Sequence, residues 1–184
     1  NSQSPYAASK ASADQLALSY YRSFNLPVKI LRPFNTYGPR QSNRAIIPSI
    51  INQCLKSRDK KIILGNVNPK RDFSYVSDTC EAFFKVCNNK KSFGQIINSG
   101  TNTNISINDL AKKIFKIMKL KYKIRSTSKK MRPNLSEVNN LLCANKKIKK
   151  LTNWKPKVNI DEGLKKTIEW VKLNQSKYGD DYTL

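Results

Sequence analysis

Apolar positions along this chain fall into stretches of two alternating periods. Between Pro5 and Asn25, Ala8, Ala11, Leu16, Ala17 and Tyr20 recur at helical spacing. Ser4 is placed to cap that helix and Pro5 suits its first turn, so a helix ending near Phe24-Asn25 is expected. Val28-Lys29-Ile30-Leu31-Arg32 is a short strand-like run closed by Pro33. Asn35 to Arg44 reads as a polar loop, with Gly38-Pro39 as its turn. Ile47, Ile50, Ile51, Cys54 and Leu55 then mark a helix with Pro48 in its first turns. Lys61 to Leu64 reads as a strand ended by Gly65-Asn66, and Asp72 to Val76 as another.

Ser77 or Asp78 is expected to cap a helix bearing Ala82, Phe83, Val86 and Cys87 on one side. Gln95 to Asn98 is strand-like. Ser106, with Asp109 three residues on, opens an amphipathic helix through Ile107, Leu110, Ala111, Ile114, Phe115 and Ile117. Lys121 to Arg125 suggests a strand and Pro133 to Asn140 a loop. Ile148 and Leu151 belong to a short helix that stops before Trp154-Lys155-Pro156. The last helix spans roughly Ile160 to Leu173, and the polar tail after Asn174 is expected to fray. Helices alternating with short strands make this an α/β protein.

Charge adds a second candidate class. The 184 residues include 35 Lys and Arg against 12 Asp and Glu, a formal net charge of +23. A basic nucleic-acid-binding module is therefore an alternative reading. The positive residues come in scattered doublets, among them Lys60-Lys61, Lys90-Lys91, Lys112-Lys113, Lys129-Lys130 and Lys146-Lys147. They do not gather into one arm, which favours a basic background composition and no nucleic-acid partner. No stretch approaches the ~20 apolar residues of a membrane span, so no membrane partner is expected and the location expected is cytoplasmic. Cys54, Cys80, Cys87 and Cys143 form no CxxC pair and the chain has no histidine, so no metal site is expected. These cysteines read as small buried hydrophobes in a reducing compartment.

The absence of histidine also narrows the chemistry. Proton transfer near neutral pH needs another group. Tyr6 and Lys10 lie four residues apart at the start of the first helix, about one turn, and so share a face. A phenol ionises more readily beside an ammonium where water is excluded, which suits removal of a hydroxyl proton while hydride leaves the same carbon.

Tyr6-Ala7-Ala8-Ser9-Lys10 resembles the YxxxK signature of short-chain dehydrogenases/reductases. Leu31 to Arg40, reading LRPFNTYGPR, is similar to the next signature of the extended branch, the nucleotide-sugar epimerases and dehydratases. Arg71-Asp72-Phe73-Ser74-Tyr75-Val76-Ser77-Asp78 resembles their RDFxxVxD block. Arg132-Pro133, Ser136-Glu137-Val138 and Trp154-Lys155-Pro156 resemble their closing stretch. The matches run in family order from about Ser4 to Val171. Their wording leans toward hexosamine 4,6-dehydratases of the legionaminic acid type, with 4-epimerases of the same branch as the alternative.

The resemblance implies an NAD-dependent enzyme of surface-polysaccharide sugar synthesis that oxidises C4 of a nucleotide-diphosphate sugar, eliminates water and returns the hydride. Tyr6 would be the base, and Lys10 would assist it and hold the nicotinamide ribose. Pro33 would lie beside the nicotinamide and Asn35 would bond the substrate. Arg71 and Arg132 would clamp the diphosphate. Ile46, Ile47, Leu64, Gly65 and Asn66 would border the base, and Glu137 would hold the ribose. Asp72 and Asp78 are expected to support local structure. Members are commonly homodimers through a bundle that includes the Tyr6 helix.

One departure is large. The dinucleotide fingerprint needs three glycines within about six residues. Gly38, Gly65, Gly94, Gly100, Gly163 and Gly179 nowhere fall in such a window. The expected architecture is the C-terminal part of a Rossmann-like parallel sheet plus a small α/β substrate domain, with the N-terminal nucleotide-binding half absent. Residues 1–40 would be the Rossmann remnant, and 41–174 mainly the substrate domain, with a short return to the Rossmann part around 70–100. Residues 175–184 would be a polar tail. Alone, such a chain is expected to bind NAD poorly, to turn over no substrate, and to expose a sheet edge and apolar helix faces. Survival as a non-catalytic interaction subunit is a third reading.

Overall fold

Two apolar clusters organise the chain, and the helices and strands sort between them. The computed structural model describes residues 4–128 and 136–178. Its helices are α1 (Pro5–Phe24), α2 (Ile46–Lys56), α3 (Val76–Cys87), α4 (Ile107–Met118), α5 (Lys146–Thr152) and α6 (Ile160–Leu173). Its strands are β1 (Ile30–Pro33), β2 (Asn35–Tyr37), β3 (Lys61–Leu64), β4 (Lys70–Arg71), β5 (Phe73–Tyr75), β6 (Ile96–Ser99), β7 (Ile105–Ser106), β8 (Lys123–Ser126) and β9 (Asn140–Leu141).

The larger cluster joins α2, α4 and α6 to β2, β3 and β5 through Ile50, Ile51, Ile62, Leu110, Ile114 and Leu164, each fully buried. The smaller one packs α3 and α5 against β6, with Ala82, Ile97, Ile148 and Trp154 fully buried. The pairs β1–β6, β2–β5 and β3–β8 are parallel. Parallel pairing requires long crossovers, and the intervening helices supply them. β4 pairs with β7 antiparallel and with β9 parallel, so three two-residue strands meet at Arg71.

Most expected elements form where the apolar period placed them. Ser4 caps α1 and Ser106 caps α4, each hydroxyl accepting an N–H three residues on. Four expectations need correction. Asn35 opens a strand rather than a loop, because its backbone finds Phe73 as a parallel partner. Asp78 does not cap α3, which starts at Val76; it is 2% exposed and accepts N–H groups from Lys157 and Val158, both at 3.0 Å. Asn174 does not begin a frayed tail in the described residues: a 3₁₀ turn spans Gln175–Lys177, and buried Tyr178 donates its hydroxyl to the Gln41 carbonyl at 3.0 Å. Of the cysteines only Cys54 and Cys143 are buried, while Cys80 and Cys87 are exposed.

α1 buries Leu18 alone among its residues. Tyr6, Leu16, Tyr20 and Phe24 stand on it in the open. This is the exposed apolar helix face that the sequence led us to expect.

Candidate active site

Ser4 and Pro5 fix where α1 begins, and that start positions the tyrosine. The Ser4 hydroxyl accepts the Ala7 N–H at 3.2 Å, and Pro5 supplies a first-turn residue with no N–H to satisfy. One turn later the Lys10 Nζ lies over the Tyr6 ring, 5.7 Å from its centroid. The two side chains therefore share a face. The face is open, with Tyr6 73% exposed, so water screens the ammonium until something covers the pair.

An ion pair between Asp14 and Arg32 ties α1 to β1. Tyr6 precedes Asp14 by eight residues, about 12 Å of helix at 1.5 Å per residue. A short link joins α1 to β1, and Pro33, the last residue of β1, is exposed. Beyond Pro33 the chain crosses directly into β2 and Asn35.

Asn35 Nδ2 donates to the Asp72 carbonyl at 3.1 Å, between the paired strands β2 and β5. Asp72 is completely buried and serves as a hub. Its Oδ1 accepts the Thr101 N–H at 2.9 Å and the Thr101 hydroxyl at 2.7 Å. Its Oδ2 accepts the Asn102 N–H at 2.9 Å and the Cys143 N–H at 3.2 Å. This goes beyond the local turn role expected of Asp72, since the bonds join segments far apart in sequence. A buried acid alternating with Phe73 and Tyr75 was the available signal, but its partners are invisible without the fold.

Arg71 precedes the hub. Its Nη2 donates to Glu137 Oε1 at 2.7 Å, and its Nη1 donates to the carbonyls of Lys70 and Val138. Both side chains of the pair are 14% exposed. Glu137 is thus engaged by Arg71. Arg132 lies outside the described residues.

The residues expected around a base divide differently. Ile47 and Leu64 have their side chains in the larger core, so they can offer a ligand only backbone. Ile46, Gly65 and Asn66 are half-buried. Gly65 already accepts the Ser126 hydroxyl at 2.8 Å, and Asn66 Oδ1 accepts the Asn68 N–H at 3.1 Å.

The structure therefore forms one bonded group from Asn35, Asp72, Arg71 and Glu137, and a second from Tyr6 and Lys10. No hydrogen bond or ion pair joins the two among the described residues. A cavity of about 600 Å³ beside Arg40, Trp170 and Lys177 is lined by none of the expected site residues. Among the described residues, no cluster of three or more His, Cys, Asp or Glu can hold a metal ion. No helix there is long and apolar enough to cross a membrane. Burial, and then the nearby Tyr75 and acidic side chains, push the Tyr37 phenol well above its ordinary range.

Comparison with known proteins gives this geometry a context. The mouse (Mus musculus) dTDP-D-glucose 4,6-dehydratase is 36% identical over 172 residues, covering 92% of this chain and 48% of that protein. The solved dTDP-glucose 4,6-dehydratase of Bacillus anthracis, in complex with NAD, superposes with a TM-score of 0.85 at 30% identity, covering 95% of this chain and 54% of that one. The UDP-glucuronic acid 4-epimerase of Bacillus cereus, solved with UDP-glucuronic acid and NAD, gives 0.82 at 27% identity over 93% and 53%. The chain spans about half the length of these relatives. The α/β fold is that of the matching part of these enzymes. Residues 1–167 match the GDP-mannose 4,6 dehydratase family, and with a relative and a solved structure at 30% identity or more covering over nine-tenths of it, this chain belongs to that family.

Proposed function

We propose that this chain is the catalytic-helix and substrate-binding part of an NAD-dependent nucleotide-sugar 4,6-dehydratase. The observation that carries the reading is the Tyr6–Lys10 pair, which shares one open face of α1. Tyr6 takes the proton of the C4 hydroxyl as that carbon is oxidised. Lys10 stabilises the phenolate once ligands exclude water from the face. Arg71 holds the diphosphate, Arg132 joins it, and Asn35 bonds the substrate. Ile46, Ile47, Leu64, Gly65 and Asn66 border the base, largely by backbone.

Tyr6, Lys10 and Pro33 are all exposed, which suits a role for them in holding the nicotinamide and its ribose. No three-glycine turn for the pyrophosphate occurs in the sequence. NAD, when bound, accepts the hydride from C4 and returns it. The domain reading follows: residues 1–40 with a return around 70–100 complete a Rossmann-like sheet, and 41–174 hold the substrate. We place the enzyme in the cytoplasm, in sugar synthesis for surface polysaccharides. The RPNLSEV wording supports a hexosamine substrate of the legionaminic acid type. The open apolar face of α1 supports a homodimer.

The likeness to the Bacillus cereus epimerase favours a second reading, 4-epimerisation with the same base. The test uses a protein in which a dinucleotide-binding half precedes these residues, supplied with NAD and dTDP- or UDP-hexoses. Mass spectrometry separates loss of water from inversion at constant mass. Tyr6→Phe should lower turnover roughly 100-fold or more while nucleotide-sugar affinity stays within a few fold. Turnover retained in that variant removes the base.

A further inference from the structure

We infer that Glu137 is the internal counter-ion of Arg71, a placeholder that an incoming diphosphate displaces, and not a ligand of the ribose. The inference rests on the reading of Arg71 as a diphosphate ligand.

The donors of the guanidinium sort into three kinds. Both Nη1 hydrogens go to neutral backbone carbonyls, those of Lys70 and Val138. One Nη2 hydrogen goes to the Glu137 carboxylate. The Nε–H and the remaining Nη2–H have no partner among the described residues. Arg71 is therefore anchored by backbone, neutralised by one carboxylate, and left with two unused donors for a further oxyanion.

The two sides of the ion pair are not held equally. Arg71 sits in β4, which pairs with β7 and β9 on either side, and the Lys70 N–H bonds the Asn139 carbonyl at 2.8 Å. The Glu137 carboxylate has no partner but Arg71 among the described residues. At 14% exposure on both side chains, neither group can be left unpaired cheaply. A diphosphate meets this requirement. It first engages the unused donors, and then its oxygens lie at contact distance from a carboxylate of like charge, which repels them. The lightly held carboxylate leaves for water, and Arg71 stays paired throughout. A ribose-holding Glu137 would instead have to abandon Arg71 without giving it another anion.

The experiment measures UDP and dTDP binding by calorimetry to the full 184-residue chain and its variants, with circular dichroism as the check on folding. Glu137→Gln should bind the diphosphate several-fold to about tenfold more tightly, equivalent to up to ~1.4 kcal/mol. Arg71→Ala should bind at least about tenfold more weakly, and Glu137→Gln should add nothing in that background. Where Glu137→Gln does not fold, Glu137→Asp keeps the charge but shortens its reach, and it too should bind more tightly. Unchanged or weaker binding in the Glu137 variants, with Arg71→Ala still impaired, overturns the exchange and leaves the clamp standing. Unchanged binding in Arg71→Ala overturns the clamp, and the exchange with it.

Discussion

Replacing Asp72 with alanine removes the acceptor for three backbone N–H groups and one hydroxyl at a completely buried point. A buried donor left without a partner costs about 1–3 kcal/mol, and the N–H groups of Thr101, Asn102 and Cys143 would all be orphaned. Relaxation and entering water keep such costs from adding in full, so the expected loss is about 3–5 kcal/mol. For a chain of this size that lowers the melting temperature by very roughly 6–20 °C. Asp72→Asn is the sharper case. An amide can keep its oxygen on the Thr101 pair, but its NH₂ then faces the Asn102 and Cys143 N–H groups, donor against donor. The asparagine variant should therefore lose most of what alanine loses, about 2–4 kcal/mol. Urea unfolding followed by circular dichroism gives both numbers. An Asp72→Asn variant within ~0.5 kcal/mol of the parent would refute the hub. The consequence reaches the site, because Asp72 links Arg71 to Phe73 and its carbonyl holds Asn35.

A Cβ at Gly163 would lie 2.1 Å from the Tyr37 hydroxyl and 2.9 Å from the Tyr75 ring. Gly163→Ala should cost about 1–3 kcal/mol in urea unfolding, and adding Tyr37→Phe should recover part of it. Burial pushes the Cys54 thiol up to about 12, and burial with the nearby Asp72 does the same for Cys143. Both thiols then stay protonated in the native state while unfolded thiols ionise from about 9. Their contribution to stability is complete below pH 9 and should be lost between pH 9 and 12, as alkaline unfolding midpoints will show. In the native protein at pH 8, alkylation read by mass spectrometry should mark exposed Cys80 and Cys87 and spare the other two. Ser106→Ala removes the hydroxyl that accepts the Asp109 N–H at 3.0 Å and should cost about 1 kcal/mol in the same unfolding assay.

By itself the sequence determined the elements and the candidates. Helical spacing of Ile107, Leu110, Ala111, Ile114 and Phe115 set α4, and Ser106 set its start, because cap and period act over a few residues. Likewise the four-residue interval put Tyr6 and Lys10 on one face of α1, since a helix turn is short and nearly invariant. Only the tertiary structure decided which partners those residues meet. Asn35 became a strand because Phe73 lies beside it, and Tyr178 became core because Gln41 accepts its hydroxyl. Glu137 found Arg71 across 66 positions, and Asp78 found Val158 across 80. Such pairings depend on how two apolar clusters bring remote segments together, and no local pattern of polar and apolar residues encodes them.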